Sequence, residues 1–276
     1  MLEQMMEMLQ YPFITRALIV GTLVSLCAAL LGVSLVLKRY AMIGDGLSHV
    51  GFGALACAQV IGVAPLYFAI PVVVAVAVLL LRLSEASKIK GDAAIAFIST
   101  GALAAGVLIS YMSSGANTDL LNYMFGSILA MSTGDVLLSV ILSLAVLVLY
   151  VFFYNKIFAV TFDETFAKAT GKNTSLYNMV IAVLTAITVV LGMRMMGALL
   201  ISAFVIFPAL SAMRICKSFA SVTICAVFLA VFCFFIGITA SYMYALPTGA
   251  TVVMVHIAVF ALCALSGALL NRFRSC

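Results

Sequence analysis

A chain of 276 residues in which 66% are apolar and only 8% charged, with a mean hydropathy of +1.30, has too little polar surface to enclose a water-soluble core. The composition excludes a soluble globule and reads as a polytopic, all-α membrane protein. Apolar blocks run almost from end to end with short polar gaps, so residues 1–276 are read as a single transmembrane domain.

The start, Met1 to Gln10, carries Glu3 and Glu7 and no Lys or Arg. That is the wrong polarity for the n-region of a signal peptide, so nothing here is read as cleaved. About nine apolar stretches follow, within a range of eight to ten, each near the ~20 residues a helix needs to cross the hydrocarbon core. They run Phe13–Leu37, Asp45–Ile61, Pro65–Leu81, Ala93–Ser113, Val136–Tyr154, Leu176–Met193, Met195–Met213, Phe219–Tyr244 and Thr248–Leu270. The second is short and glycine-rich. The semi-apolar piece Gly126 to Gly134 suits a segment that dips into the membrane and returns.

With the first stretch entering from outside, the gaps facing the cytoplasm hold Lys38, Arg39, Arg82, Lys88, Lys90, Lys156, Lys168, Lys172, Arg214, Lys217, Arg272 and Arg274. Only Arg16 and Arg194 fall near the other face. The positive-inside rule therefore predicts an outer amino terminus and a cytoplasmic carboxyl terminus in the plasma or inner membrane. The net charge of +5 reports topology and does not call for nucleic acid. The ten tyrosines, from Tyr11 and Tyr40 to Tyr242 and Tyr244, are expected near the ends of these segments as interfacial anchors.

Asp45 and His49 stand four residues apart in Met42-Ile-Gly-Asp-Gly-Leu-Ser-His-Val-Gly51. On a helix they share a face, where carboxylate and neutral imidazole suit Zn²⁺ and Mn²⁺. Two ligands on one chain make a weak site, as a conduction path requires. The alternative is that His49 donates to Asp45 or to a carbonyl and only fixes helix packing. The longest polar gap, Asn155 to Asn178, contains Val160-Thr-Phe-Asp-Glu-Thr-Phe-Ala-Lys-Ala-Thr-Gly171. Thr161 or Asp163 can cap a short helix there, with Glu164 in its first turn, Lys168 near its end and Gly171 as terminator. Phe162, Phe166, Ala167 and Thr170 would share one side. Such a helix either rests on the membrane surface or docks a cytoplasmic partner.

Other polar positions read as structural. His256, mid-way along the last stretch with no acidic neighbour, is expected to pack helices through a hydrogen bond. Asp92 and Asp135 are expected to cap helix starts. Asp119 lies in an outer gap, where it either touches an external partner or belongs to a solvated loop. Pro208 removes one backbone bond and is a candidate hinge. The cysteines, with no Cys-x-x-Cys, and the methionines, including Met193, Met195 and Met196, are read as packing residues without disulfides or metal.

Taken in order, Met42 to Gly51, Lys88-Ile-Lys-Gly-Asp-Ala-Ala-Ile95, Phe125-Gly-Ser-Ile-Leu-Ala-Met131, Phe162 to Gly171, and Gly197-Ala-Leu-Leu-Ile-Ser-Ala-Phe-Val-Ile-Phe-Pro-Ala209 resemble the membrane permease subunit of zinc- and manganese-type ABC importers over essentially the full length. The resemblance implies a type II importer-like permease fold and a homodimer. It also implies two copies of a cytoplasmic ATPase subunit and an extracytoplasmic metal-binding solute protein. By the same likeness Asp45 and His49 line the ion path. The segment of about 161–171 becomes the coupling helix, engaging the ATPase through Phe162, Asp163, Glu164, Phe166, Ala167 and Gly171. The cargo is a divalent metal, zinc first, with manganese and iron behind it. No resident cofactor is expected, and ATP belongs to the partner. Gly46 and Gly53 depart from the family pattern and are expected to soften the second helix.

Other classes fit less well. A gradient-driven secondary carrier usually shows paired broken helices in an internal repeat, and no second half matches the glycine-rich segment. An enzyme would need a nucleophile or metal set, yet neither His-Glu-x-x-His nor a Gly-x-x-x-x-Gly-Lys-Ser/Thr loop occurs.

Overall fold

The computed structural model describes residues 10–86, 91–112, 124, 126, 132–198 and 200–274, with side chains at all of these except 84–86, 91–92 and 268–274. The helices are numbered in chain order: α1 (Pro12–Leu37), α2 (Ile43–Ile61), α3 (Pro65–Ala86), α4 (Gly91–Met112), α5 (Thr133–Phe162), α6 (Glu164–Ala169), α7 (Thr174–Met196), α8 (Ile201–Ile215), α9 (Phe219–Tyr244) and α10 (Thr248–Arg274). No strand occurs among the described residues. This is the outcome expected in hydrocarbon, where a helix satisfies its own backbone polar groups.

Every helix except the six-residue α6 corresponds to one apolar stretch. Seven of them, α1, α3, α4, α5, α7, α9 and α10, are long and apolar enough to cross a membrane. The other two fall short for different reasons. The 15 residues of α8 span only about 22 Å at ~1.5 Å per residue, and the 19 residues of α2 are diluted by Asp45, His49 and glycines.

The α5 helix departs furthest from expectation. It runs eight residues past Tyr154 to Phe162 and covers part of the expected polar gap. A capping box starts it: Ser132 accepts from the Asp135 amide, and the Asp135 carboxylate accepts from the Ser132 amide, both at 3.1 Å. Its continuation past Asn155 and Lys156 is held by apolar contacts, with Ile157 and Val160 fully buried and Phe158 packed on Phe219 at 5.0 Å between ring centroids. Its 30 residues reach about 45 Å, well beyond the ~30 Å hydrocarbon core. The extension also corrects the reading of Tyr150 as an interfacial ring. That side chain is 1% exposed, inside the helix.

The centre of the bundle is α1 and α7, in which 67% and 72% of the most apolar window is buried, against 22% for α5 and α10 at the periphery. Around that centre α1 packs on α5, α7, α8 and α9, and α2 packs on α3, α4, α7 and α8. The α1–α8 and α2–α4 contacts are backbone against backbone. A Cβ at Gly32 would lie 2.0 Å from the Val205 carbonyl oxygen, one at Gly53 would lie 2.8 Å from the Ala102 oxygen, and one at Gly106 would lie 2.9 Å from the Gly53 Cα. Small residues at such crossings permit close approach in membranes. Gly53 therefore does not soften α2, which is helical over its whole length. Together with Gly46, whose Cβ would meet Ile95 at 2.6 Å, it lets α4 lie against α2.

Gly53→Val places two methyls and a Cβ where the Ala102 carbonyl already sits. Overpacking of this kind costs about 1–3 kcal/mol. The expected result is a lower thermal unfolding midpoint in detergent, and an unchanged midpoint would contradict the close approach of the two helices.

Candidate metal path and coupling element

Five residues join α1 to α2, and their geometry is tightly set. The amide of Arg39 donates to the Val36 carbonyl at 3.1 Å and that of Tyr40 to the Leu35 carbonyl at 2.8 Å, the paired closure of a Schellman motif. The left-handed position is taken by Arg39, with φ 62°, at a cost of about 1–2 kcal/mol that glycine would not incur. The Ile43 amide then donates to the Tyr40 carbonyl at 3.0 Å, and α2 begins.

Asp45 is thus in the first turn of α2, not mid-helix. There the positive end of the helix dipole favours a carboxylate by about 0.3–1 kcal/mol. One turn on, His49 places Nε2 3.6 Å from Asp45 Oδ2, too long for a hydrogen bond. A cation held at ~2.1 Å from each atom would bridge that gap with an angle near ~120°, within the range such ions accept. The Asp45 side chain keeps 34% of its exposure and His49 14%. Ser202 of α8 donates to Asp45 Oδ1 at 3.4 Å, and His49 Nδ1 is buried with no hydrogen-bond partner among the described residues.

Both side chains face a cavity of about 380 Å³ lined also by Met42 and by Ile95, Ala96, Ser99, Thr100 and Leu103 of α4. All of these α4 positions but Leu103 lie in its first half, so the cavity sits toward the end of the bundle that carries α6. Among the described residues no cluster of three or more His, Cys, Asp or Glu occurs that could hold a metal. Any cation held between these two side chains would therefore have two ligands of these types from this chain.

The short helix forms, with narrower bounds than expected. Asp163 ends α5 and caps α6, its Oδ1 accepting from the Phe166 amide at 2.8 Å. Gly171 at φ 76° closes it, as the Lys172 amide donates to the Ala167 carbonyl at 3.0 Å. The expected common side divides. Ala167 is fully buried, whereas Phe162, the last residue of α5, and Phe166 are 74% and 64% exposed. Two aromatic residues beside α6 are therefore largely exposed, Phe162 resting against Phe158 at 5.8 Å between ring centroids.

Glu164 is the polar hub of this region. Lys168 lies 3.0 Å from Oε1 and Lys38, at the end of α1, 3.5 Å from Oε2. Lys38 also donates to the Asn178 side chain in α7. Partial burial alone would raise the Glu164 carboxyl, but the hydrogen bond from Lys168 and the charge of Lys38 hold it below its ordinary value. It stays ionised at neutral pH. Sequence reasoning counted Lys38 only as a topology charge. Asn178 carried no signal beyond its place at the edge of a polar gap.

At the opposite end Arg194 lies 3.2 Å from Asp135 Oδ2, each side chain 11% exposed, tying the start of α5 to the end of α7. Asp135 does cap its helix, and also pairs. Asp92 falls in the first turn of α4, with its side chain outside the description. Asp119 and the stretch from Phe125 to Met131, Gly126 apart, also lie outside the described residues. His256 is 2% exposed and meets Phe204 edge-on at 5.1 Å, while its Nε2 has no hydrogen-bond partner among the described residues. It packs helices through its ring. The α8 helix continues through Pro208. The break in this part of the chain falls earlier, after Gly197 at φ 91°. Met193, Met195 and Met196 are buried in the core, and the described cysteines are free thiols.

A helical membrane protein with a carboxylate–imidazole pair lining a partly open cavity is the class this geometry defines. Residues 10–267 match the ABC 3 transport family, and the chain belongs to that family. It is 33% identical to a "Probable metal transport system membrane protein" of Thermotoga maritima, over 92% of this chain and 90% of that one. It is 28% identical to "Manganese transport system membrane protein MntC" of Halalkalibacterium halodurans, over 93% and 88%, and 28% identical to a "Probable iron transport system membrane protein" of Haemophilus influenzae, over 94% and 96%. Among solved structures, "PsaBC from Streptococcus pneumoniae in complex with Fab" superposes with a TM-score of 0.85 at 26% identity, covering 95% of each chain. A second ABC transporter, in an inward-facing conformation, shares the fold at TM-score 0.73 and 16% identity, over 92% and 86%. The resemblance to metal ABC permeases holds, and the protein is a transport subunit whose ATPase is a separate chain.

Breaking a buried ion pair by removing one partner costs about 3–5 kcal/mol. Arg194→Met, which strands the Asp135 carboxylate, is expected to lower the thermal unfolding midpoint more than the double variant Arg194→Met/Asp135→Leu. Equal midpoints would show that the pair contributes nothing beyond packing.

Proposed function

We propose that this permease carries a divalent transition metal into the cytoplasm, with Asp45 and His49 as the ligands that receive it in transit. The observation that carries the reading is their 3.6 Å separation at the wall of one cavity, a gap that fits a shared cation. The relatives reported above are named for manganese, iron or metal, which moves manganese and iron ahead of zinc as cargo. A carboxylate with one imidazole serves any of the three.

The complex is a homodimer of this chain with two ATPase subunits inside and a metal-binding solute protein outside. One carboxylate and one imidazole leave most of a cation's coordination sphere unfilled, and a second copy facing the α2–α4 cavity would add a second Asp45 and His49. Nine crossings with the amino terminus outside account for the basic residues. They also agree with the ion pairs: Lys38 and Glu164 then share the inner side, and Asp135 and Arg194 the outer. The exposed Phe162 and Phe166, beside the capped α6, form the surface that engages the ATPase, with Asp163, Ala167 and Gly171 setting its shape. Pro208, which removes one backbone hydrogen bond within the continuous α8, remains a candidate hinge.

Loss of an outer-shell partner alone weakens metal sites about 10–100-fold. Asp45→Ala and His49→Ala are each expected to lower Mn²⁺ uptake by about tenfold or more while the ATPase still co-purifies. Wild-type uptake in both would remove them from the path. Phe166→Asp is expected to weaken ATPase association by about tenfold, as loss of a buried aromatic anchor does. Unchanged association would refute the coupling assignment.

A further inference from the structure

Lys38 lies at the junction of three elements that the chain keeps far apart. Its ammonium reaches Glu164 of α6 at 3.5 Å and Asn178 near the start of α7, and its own backbone is the last cap of α1. The Lys38 side chain is 8% exposed and Asn178 is buried, while Glu164 keeps 37% of its side-chain exposure, so the lysine end of the contact is internal and the carboxylate end meets solvent. One residue later the chain enters the hydrogen-bonded elbow through Arg39 and Tyr40, and seven residues after Lys38 comes Asp45. Lys38 and Tyr40 of the elbow, Ile43 of α2 and Asn178, Ile181 and Ala182 of α7 line one small cavity, so the elbow is seated on α7.

We propose that Lys38 is a positioning residue for transport. By holding Glu164, it makes α6 and the α1–α2 elbow move together, so that a displacement of α6 reaches Asp45 and the mouth of the cavity. The elbow is stiff enough to carry it, since both of its Schellman bonds are made and α2 follows within five residues. Lys168, 64% exposed, can neutralise Glu164 but is attached only to α6 and transmits nothing. This inference rests on α6 being the element that engages the ATPase.

The test uses the complex of permease and ATPase in liposomes, with the solute-binding protein outside, Mn²⁺ as the probe, and both ATP hydrolysis and Mn²⁺ entry measured. Lys38→Met is expected to leave ATPase association and hydrolysis within about twofold while Mn²⁺ carried per ATP falls about tenfold, a coupling loss of ordinary size. Lys38→Arg restores most of that ratio. Glu164→Gln lowers it similarly, and the double variant Lys38→Met/Glu164→Gln falls no lower than Lys38→Met alone, because both act through one contact. An unchanged Mn²⁺-to-ATP ratio in Lys38→Met, or losses that multiply in the double variant, overturns the proposal. If Lys38→Met fails to fold, Glu164→Gln decides it by the same ratio. Failure of the underlying reading is separately visible as Phe166→Asp leaving ATPase association intact.

Discussion

A carboxylate moved from water to the middle of a bilayer costs about 2.5–3.5 kcal/mol on insertion scales, and the placement of charge in this bundle follows from avoiding that cost. Asp135 and Arg194 neutralise one another at one end. Lys38, Glu164 and Lys168 do so at the other. Between those ends the helices are joined mainly by apolar and glycine contacts. Asp45 departs from the pattern. It sits at a helix start, faces His49 across a gap too long for a hydrogen bond, and keeps a third of its exposure. An acid that the fold leaves incompletely partnered beside a cavity is the position where a cation gains most by arriving.

Backbone packing decides where that cavity can be. With α4 drawn against α2 by Gly46, Gly53 and Gly106, the space left in front of Asp45 is bounded on one side by Ile95, Ser99 and Leu103 and on the other by α2 itself. The elbow from Lys38 to Met42 fixes the height at which α2 starts. The place of the cavity is therefore set largely by glycines and apolar side chains that bear no chemistry of their own. The family's shared fold at 26% identity, with a TM-score of 0.85, fits a scaffold determined mainly by small residues and apolar length.

Much of this was legible in the amino-acid order, and the misses have physical causes. Apolar length marked every long helix, and local hydrogen-bonding chemistry marked the capping by Asp135 and Asp163 and the stop at Gly171, because those signals act within one turn. The run through Asn155 and Lys156 was not legible: polarity there mimics a gap, and the contacts that keep α5 helical come from Phe219, 61 positions beyond Phe158 in the numbering. Gly46 and Gly53 suggested softness because a glycine's partner across a helix crossing cannot be read from its neighbours in sequence. Asp45 and His49 declared themselves by rarity. Lys38 did not, since a lysine after an apolar run looks like any interfacial charge until the distant Glu164 and Asn178 are brought to it.

The two-ligand site has a consequence for selectivity. A divalent ion held by one carboxylate and one imidazole of a single copy would keep most of its hydration shell until the second copy of the proposed dimer added its own pair. On the proposed reading, such a pair attracts a divalent cation, and its oxygen and nitrogen donors suit manganese, iron and zinc alike, with affinities that rise along the first-row series rather than selecting one ion by geometry. If that reading holds, the choice of cargo rests less on this pair than on whatever binds the ion more completely before it reaches the cavity.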